Sequence, residues 1–182
     1  MPLKHHDAGG DGRLPVSPEV WKIILDGYTL PRLGTHGVAH WARVLENGRR
    51  IATAAGADLL VLEHFAVFHD ARRLNEDHDP QHGPRGAELA RSVRHLLANL
   101  TDVQMDQLCT ACEQHTHVLT HADPTVRACF DSDRLDLARV GITPDPRRLA
   151  TDAARDPEVL AWATRRGRDW VEPEYVRGVW LA

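Results

Sequence analysis

The run of apolar residues 59–69, LLVLEHFAVFH, limits the fold more than any other segment of this sequence. As a helix it is apolar almost all round, so it has no face suited to solvent and must lie in the centre of the domain. Asp58 directly precedes it and is of a residue type that favours a helix N-cap. A dense group of ionisable side chains follows over residues 70–89. We therefore expect a buried central helix that carries polar residues at its carboxyl end.

Helical signals also cover most of the remaining chain. Ser17 before Pro18 is typical of a capped helix start, and Thr101 with Gln104 predicts a capping box. The predicted helices span residues 18–30, 35–55, 58–69, 84–100, 101–119, 124–140, 144–156 and 157–170. The sequence contains no alternating strand pattern, repeat or second-domain linker. It predicts an all-α, single-domain helical bundle over residues 17–182, with a disordered N-terminal lead at 1–16 and a C-terminal helical extension from about residue 144.

Composition narrows the class of protein. A chain of 182 residues can bury a hydrophobic core without a structural metal or disulfides, so a metal here is expected to be functional. The formal net charge of −4 gives no basic groove for nucleic acid and favours a small soluble ligand. Three cysteines cannot all pair, and no apolar run is long enough for a membrane span or a signal-peptide core, so we expect a cytoplasmic protein. The C-terminal Trp162, Trp170 and Trp180 predict helix packing or a homodimer contact.

Four predicted helices carry a side chain of metal-ligand type on an otherwise apolar stripe: His40, His69, His115 and Asp133. A hydrogen-bonded role in the core explains any one of them alone. Together they favour a shared cation, because burying Asp133 without a partner costs several kcal/mol. Asp70 follows His69 about 100° further around the helix, so both can reach an ion beyond the helix end. Imidazole and carboxylate ligands suit divalent Mn, Fe, Ni, Co or Zn.

The order of these residues resembles the HD-domain superfamily of metal-dependent phosphohydrolases. HGVAHWARV matches the first ligand of that family with His40, and FHDARR matches its His-Asp pair with His69 and Asp70. FDSDRLDLARVGI resembles its last element, whose ligand is here Asp133. The resemblance covers roughly residues 35–143 and implies an all-helical fold of the HD type that holds a divalent ion.

Two further motifs resemble a subset of the family. HGPRGAEL supplies His82 and CEQHTH supplies His115, which in two-metal members bind a second ion. The resemblance implies a phosphohydrolase whose first ligand set holds an ion that lowers the pKa of a bound water. His82 and His115 then either bind a second ion, with Asp70 as a bridge, or hydrogen-bond the phosphate and protonate the leaving oxygen. The catalytic candidates are Asp70, His82, His115 and Arg43.

A phosphorylated substrate needs cationic side chains near the metal, because guanidinium groups match phosphate geometry. Candidates for this clamp are Arg43, Arg72, Arg73 and Arg85, and candidates for a general acid or base are Glu76 and Asp79. The substrate-binding set predicted from the sequence is therefore Arg43, Arg72, Arg73 and Glu76. A nucleotide, or a related small phosphate compound, is the substrate that the resemblance favours.

Two other functions use the same residues. Some proteins with this ligand pattern hold a di-iron pair and cleave carbon bonds with O₂, and all six ligand positions of that pattern are present here. A non-catalytic nucleotide-binding module is the other alternative. Iron in the purified protein would distinguish the di-iron oxygenase from a phosphohydrolase. Ligand binding without product formation would identify the binding module.

Overall fold

The computed structural model describes residues 12–182, and every regular element among them is helical. The α-helices are α1 (Pro18–Asp26), α2 (Val38–Ala55), α3 (Leu59–Phe68), α4 (His82–Ser92), α5 (Asp102–Gln114), α6 (Pro124–Arg134), α7 (Asp152–Arg155) and α8 (Pro157–Arg168). Short 3₁₀ turns lie at Arg94–Leu96, Leu137–Val140 and Pro146–Arg148, and a π turn lies at Val176–Trp180. Residues 12–182 contain no helix with both the length and the apolar character that a bilayer crossing demands. The predicted all-α architecture is confirmed.

Side-chain caps begin four of the helices at the predicted places. The Ser17 hydroxyl accepts a hydrogen bond from the Val20 backbone N–H at the start of α1. The Asp58 carboxylate accepts hydrogen bonds from the first turn of α3, and the Asp123 carboxylate does the same for α6. Thr101 and Gln104 form the reciprocal capping box of α5. Because these contacts satisfy backbone donors that have no partner inside the helix, the starts of α1, α3, α5 and α6 are fixed by local sequence.

Several other helix boundaries differ from the prediction. Helix α2 begins at Val38 rather than near residue 35, and α1 and α5 end several residues early. Helix α4 begins at His82, two residues before Pro84, which is tolerated because the first turn of a helix needs no N–H at that position. Helix α6 ends at Arg134. Beyond it the backbone N–H of Asp136 donates to the Asp133 carbonyl, which tightens the chain into a separate turn.

Helix α3 occupies the centre of the structure, as its apolar sequence predicts. It packs against α2, α5 and α6, and Phe65 and Phe68 within it are fully buried. A helix enclosed in this way is held by dense packing on all sides, which resists displacement of its carboxyl end. The residues that follow α3 therefore start from a rigid support.

The two ends of the described chain meet on one side of the domain. Trp21 packs edge-on against Trp180, and its indole N–H donates to the Trp180 carbonyl. The Trp180 indole N–H donates to the Gly12 carbonyl, and Val16 is buried. Residues 12–16 therefore pack against the domain, although the sequence predicts them to be part of a disordered lead. The rest of that predicted lead, residues 1–11, lies outside the described part of the chain.

Helix α4 lies unusually close to the end of α3. A Cβ added to Gly86 would collide with the carbonyl oxygen of Phe68 and lie 3.1 Å from that of His69. Glycine is thus required at this position by the close approach of two backbones. The contact sets the distance between His82, which begins α4, and the polar residues at the end of α3.

We predict that Gly86→Ala lowers the free energy of unfolding by about 1–3 kcal/mol, because the added methyl group forces the backbones of α3 and α4 apart. Urea unfolding followed by circular dichroism measures the change. Gly178→Ala is the matched control, since no atom lies within 4 Å of its added Cβ. Equal stability of the two variants would contradict the close approach.

Candidate metal centre

Six polar side chains from five helices meet next to α3. They are His40 in α2, His69 and Asp70 directly after α3, His82 at the start of α4, His115 directly after α5, and Asp133 in α6. All are buried apart from Asp133, whose side chain is 18% exposed. Every residue predicted as a metal ligand therefore lies at one place in the fold.

The six residues form two adjoining groups. In the first group, His40 Nε2 lies 3.1 Å from His69 Nε2 and 3.4 Å from Asp133 Oδ1. In the second group, His82 Nε2 lies 2.9 Å from His115 Nε2 and 3.3 Å from Asp70 Oδ1. Within each group the ligand atoms lie within 4.8 Å of one another, a spacing at which one ion can contact all three.

Asp70 connects the two groups. Its Oδ1 faces His82, while its Oδ2 lies 3.6 Å from His40 Nε2 and 3.7 Å from His69 Nε2. Arg73 Nη1 is 3.4 Å from Asp70 Oδ1 and adds a positive charge on the side of the second group. The two oxygens of one carboxylate thus serve different groups, which is the arrangement of a bridging ligand.

The four imidazole rings are all held in the same tautomer. Each Nδ1–H donates to an oxygen atom: the Asp136 carboxylate for His40, and the backbone carbonyls of Phe65, Asp79 and Cys112 for His69, His82 and His115 respectively. A neutral imidazole carries one N–H, so each Nε2 presents a lone pair. Acceptors of this kind fix the ring orientation of metal-binding histidines in proteins generally.

Burial opposes protonation of three of the rings. It lowers the pKa of His115 to about 4, the pKa of His40 well below its ordinary value, and the pKa of His82 in the same direction. The facing Nε2 atoms of the two pairs lie 3.1 Å and 2.9 Å apart, a distance at which a proton or a cation must lie between them. The donor set thus fits a divalent ion in each group, and its mixture of nitrogen and oxygen atoms suits Mn, Fe, Co, Ni or Zn.

The carboxylates of the centre are ionised. Burial acts to raise the pKa of Asp133, but the neighbouring imidazole of His69 and the guanidinium of Arg139 outweigh it and hold this pKa at about 2. Burial is likewise outweighed at Asp70, whose pKa lies well below its ordinary value because of His69 and the other surrounding rings. Both groups are therefore in the form that binds a cation.

Asp136 takes a part in the centre that the sequence reading did not assign to it. The residue is buried, and its carboxylate accepts from His40 Nδ1 at 2.8 Å and from Arg43 Nε at 2.7 Å. The sequence indicates this role only through spacing, since Asp136 lies three residues after Asp133 and Arg43 lies three residues after His40. These spacings place an acidic side chain about one turn from one ligand and a basic side chain about one turn from another.

The prediction that Arg43 binds phosphate is not supported by its position. Its guanidinium is buried, donates twice to Asp136 and once to the Val171 carbonyl, and does not line the cavity above the centre. The residue does lie one turn from His40, as predicted, but Asp136 occupies the space beside it. Arg43 therefore neutralises the carboxylate that orients His40.

Arg72 and Glu76 also lie outside the cavity lining, in contrast to the prediction. Arg72 donates to the carbonyls of Ile23 and Ile24, at 3.1 Å and 3.0 Å, and so ties α1 to the end of α3. Glu76 accepts from Nδ1 of His36 at 2.6 Å, and it is the His36 ring that lines the cavity.

The two other loop candidates differ in their position relative to the cavity. Arg85 and Asp79 pair with each other, and neither lines it. Arg73 does line the cavity, and its guanidinium lies 3.2 Å from Nδ1 of His82. Of the predicted clamp arginines, Arg73 alone therefore borders the space above the centre.

A cavity of about 430 Å³ opens above the two groups. Four arginines line it: Arg73, Arg134, Arg139 and Arg148. The last three were not singled out from the sequence: Arg134 and Arg139 lie in the helix predicted over 124–140 but not on its apolar stripe, and Arg148 lies beyond it. The cavity therefore combines a floor of metal-ligand type with cationic walls.

No protein-family model matches this chain, and no curated protein matches it. The chain is similar to the crystal structure of a predicted HD superfamily hydrolase from an uncultured Thermotogales bacterium, at 23% sequence identity and a TM-score of 0.60. The likeness covers 84% of this chain and 92% of that chain. It shows that the protein has the HD-domain fold, which confirms the fold that the motifs imply.

We predict that Asp136→Asn weakens divalent-ion binding by about 10–100-fold, because His40 loses the anionic acceptor that orients it. Calorimetric titration of Mn²⁺ into chelator-treated protein measures the affinity. Asp169→Asn is the control, since that carboxylate is exposed and paired with Arg168. If both variants bind Mn²⁺ as the unchanged protein does, Asp136 has no such positioning role.

We predict that the metal-free protein loses stability as the pH falls. Burial holds the pKa of His115 at about 4, below its ordinary 6.5, so the unfolded chain takes up this proton at a higher pH than the folded one. His40 and His64, whose pKa values are also lowered by burial, act in the same direction. The free energy of unfolding should therefore be greatest above pH 6.5 and fall steadily towards pH 4.

Urea unfolding in the presence of a chelator, repeated across this pH range, measures the effect. His115→Gln should reduce the slope of unfolding free energy against pH, because one of the titrating groups is removed. An unfolding free energy that stays constant between pH 7 and pH 4 would show that these rings are not held neutral by burial.

Proposed function

We propose that this protein, which has the HD-domain fold, is a metal-dependent phosphohydrolase that acts on a small phosphorylated molecule, with a nucleotide as the favoured class. One observation carries the proposal: two groups of imidazole and carboxylate side chains form the floor of a cavity whose walls are lined by arginines. The structural similarity to a predicted HD superfamily hydrolase supports the hydrolytic class.

The residues of the chain divide into ligands and charge-bearing groups. A divalent ion bound at the floor supplies Lewis acidity and lowers the pKa of a water molecule, which makes a nucleophile available near neutral pH. Asp70 faces both ligand groups and fixes their relative position. Arg73 and Arg139 border the floor beside Asp70 and Asp133, where they can bind phosphate oxygens.

The size and charge of the molecule favour a small substrate. A volume of about 430 Å³ lies in the lower part of the range of pockets that enclose small ligands. The formal net charge of −4 gives the surface no general attraction for a nucleic-acid backbone. A mononucleotide or a compound of similar size fits both observations.

We predict that protein stripped of metal by a chelator and refilled with Mn²⁺ releases phosphate or pyrophosphate from at least one nucleoside mono-, di- or triphosphate. Asp133→Asn and His69→Gln should lower this activity about a thousandfold or more, because each removes a ligand of the first group. Asp152→Asn is the control, since its side chain is 99% exposed on the short helix α7.

The outcomes separate the three functions. Absence of any phosphate release by protein that binds Mn²⁺ would contradict the proposal. Iron in the purified protein, a di-iron spectroscopic signal and O₂-dependent turnover would identify an oxygenase instead. Thermal stabilisation by a nucleotide without any product would identify a binding module.

A further inference from the structure

One wall of the cavity is built by a segment outside the ligand motifs. We call it the outer wall, and it consists of Leu137, Val140, Ile142, Pro144, Arg148 and Leu149. The segment follows α6 and lines the same cavity as Asp70, His82, His115 and Asp133. A ligand that fills the cavity above the floor therefore also lies against the outer wall.

The outer wall exposes apolar side chains beside a polar floor. Val140 is 40% exposed and Ile142 is 54% exposed, although both line the cavity. An apolar group that covers them gains free energy in proportion to the area removed from water. A phosphorylated compound without an organic group would leave this surface uncovered.

Arg148 gives the outer wall a cationic group. Within residues 12–182, its side chain makes no hydrogen bond and no ion pair. Its neighbour Arg147 instead pairs with Asp145 at 2.8 Å and points to solvent. Arg134 donates to the Arg148 backbone carbonyl, so two guanidinium groups border the same part of the cavity. An anionic ligand would relieve the repulsion between them and satisfy the donors of Arg148.

The outer wall is fixed relative to the ligands on the floor. Gly141 turns the chain in the left-handed conformation, with φ of 78°. Further on, the buried Asp131 carboxylate accepts from the backbone N–H groups of Ala150 and Thr151, and from the Thr151 hydroxyl. Asp131 lies two residues before Asp133 in α6, so one helix anchors both a metal ligand and the end of the wall.

We propose that the outer wall is the specificity surface of the cavity. Val140 and Ile142 cover an apolar organic group of a phosphorylated small molecule, and Arg148 pairs with an anionic oxygen of the same molecule. The presence of a phosphate group in the ligand rests on the proposed function. The preference for an apolar organic group rests on the exposed apolar side chains of the wall.

Two phosphonates test this directly on the Mn²⁺-loaded protein, because their C–P bond resists hydrolysis and they differ only in the organic group. Phenylphosphonate should bind about tenfold more tightly than methylphosphonate, since the ring covers apolar area of the wall. Ile142→Ser should bring the two affinities closer together by weakening phenylphosphonate alone. Arg148→Gln should weaken both by about tenfold, because a charge-assisted hydrogen bond is lost.

Matched controls accompany both variants. Arg177→Gln removes the same charge from a side chain that is 70% exposed and does not line the cavity, and Val103→Ser removes an apolar side chain that is 69% exposed on α5. Both should bind the phosphonates as the unchanged protein does. Equal affinity for the two phosphonates, no binding of either, or an Arg148→Gln variant that matches Arg177→Gln would overturn the proposal.

Failure of the proposal and failure of the proposed function give different results. If the phosphonates bind with the predicted pattern while no phosphate compound is hydrolysed, the outer wall is a recognition surface and the hydrolytic function is wrong. If hydrolysis occurs but the variants do not change phosphonate binding, the hydrolytic function stands and the role of the wall is wrong.

Discussion

Four imidazole Nε2 atoms face one another in pairs inside this protein, and the surrounding groups hold them in that position. His40 faces His69 at 3.1 Å, and His82 faces His115 at 2.9 Å. Each ring donates its Nδ1–H to a fixed oxygen on the opposite side, so rotation of a ring would break a buried hydrogen bond. Facing lone pairs at these distances repel, and we propose that a divalent cation between them relieves that repulsion. Asp70, with one oxygen towards each pair, joins the two halves.

The helical packing supplies the rigidity that such an arrangement needs. Helix α3 is enclosed by α2, α5 and α6, so its carboxyl end delivers His69 and Asp70 from a fixed position. The close approach at Gly86 sets the distance to His82, and Arg43 with Asp136 orients His40. The core residue Phe65 stacks on the His69 ring, so the ligand set rests directly on the apolar packing of α3. An ion that binds only the folded protein therefore also stabilises the fold.

The caps, the central helix and the candidate metal ligands could be predicted from local sequence. Caps depend on residues three or four apart, and His40, His69, Asp70 and Asp133 interrupt apolar stripes whose period is fixed by helix geometry. A buried polar side chain on such a stripe requires a partner, so the sequence alone predicts that these side chains share a centre.

The features that the sequence did not predict depend on contacts between distant segments of the chain. Arg43 lies on the predicted face, yet its partner is Asp136 in the turn that follows α6, and only the packing of α2 on α6 brings them together. Arg72 turns towards α1 because free carbonyls at the end of that helix are within reach. The outer wall has no periodic pattern, so Arg148 and Ile142 are recognisable only from the cavity that they border.

We propose that the six clustered side chains hold two divalent ions. Anomalous diffraction at the manganese edge, from crystals of Mn²⁺-loaded protein, tests it most directly. We expect two anomalous peaks, one bordered by His40, His69 and Asp133 and the other by His82 and His115, with Asp70 in contact with both. Crystals that show no peak between these residues, while the imidazole pairs keep their facing positions, would contradict the claim and would require protons on the Nε2 atoms instead.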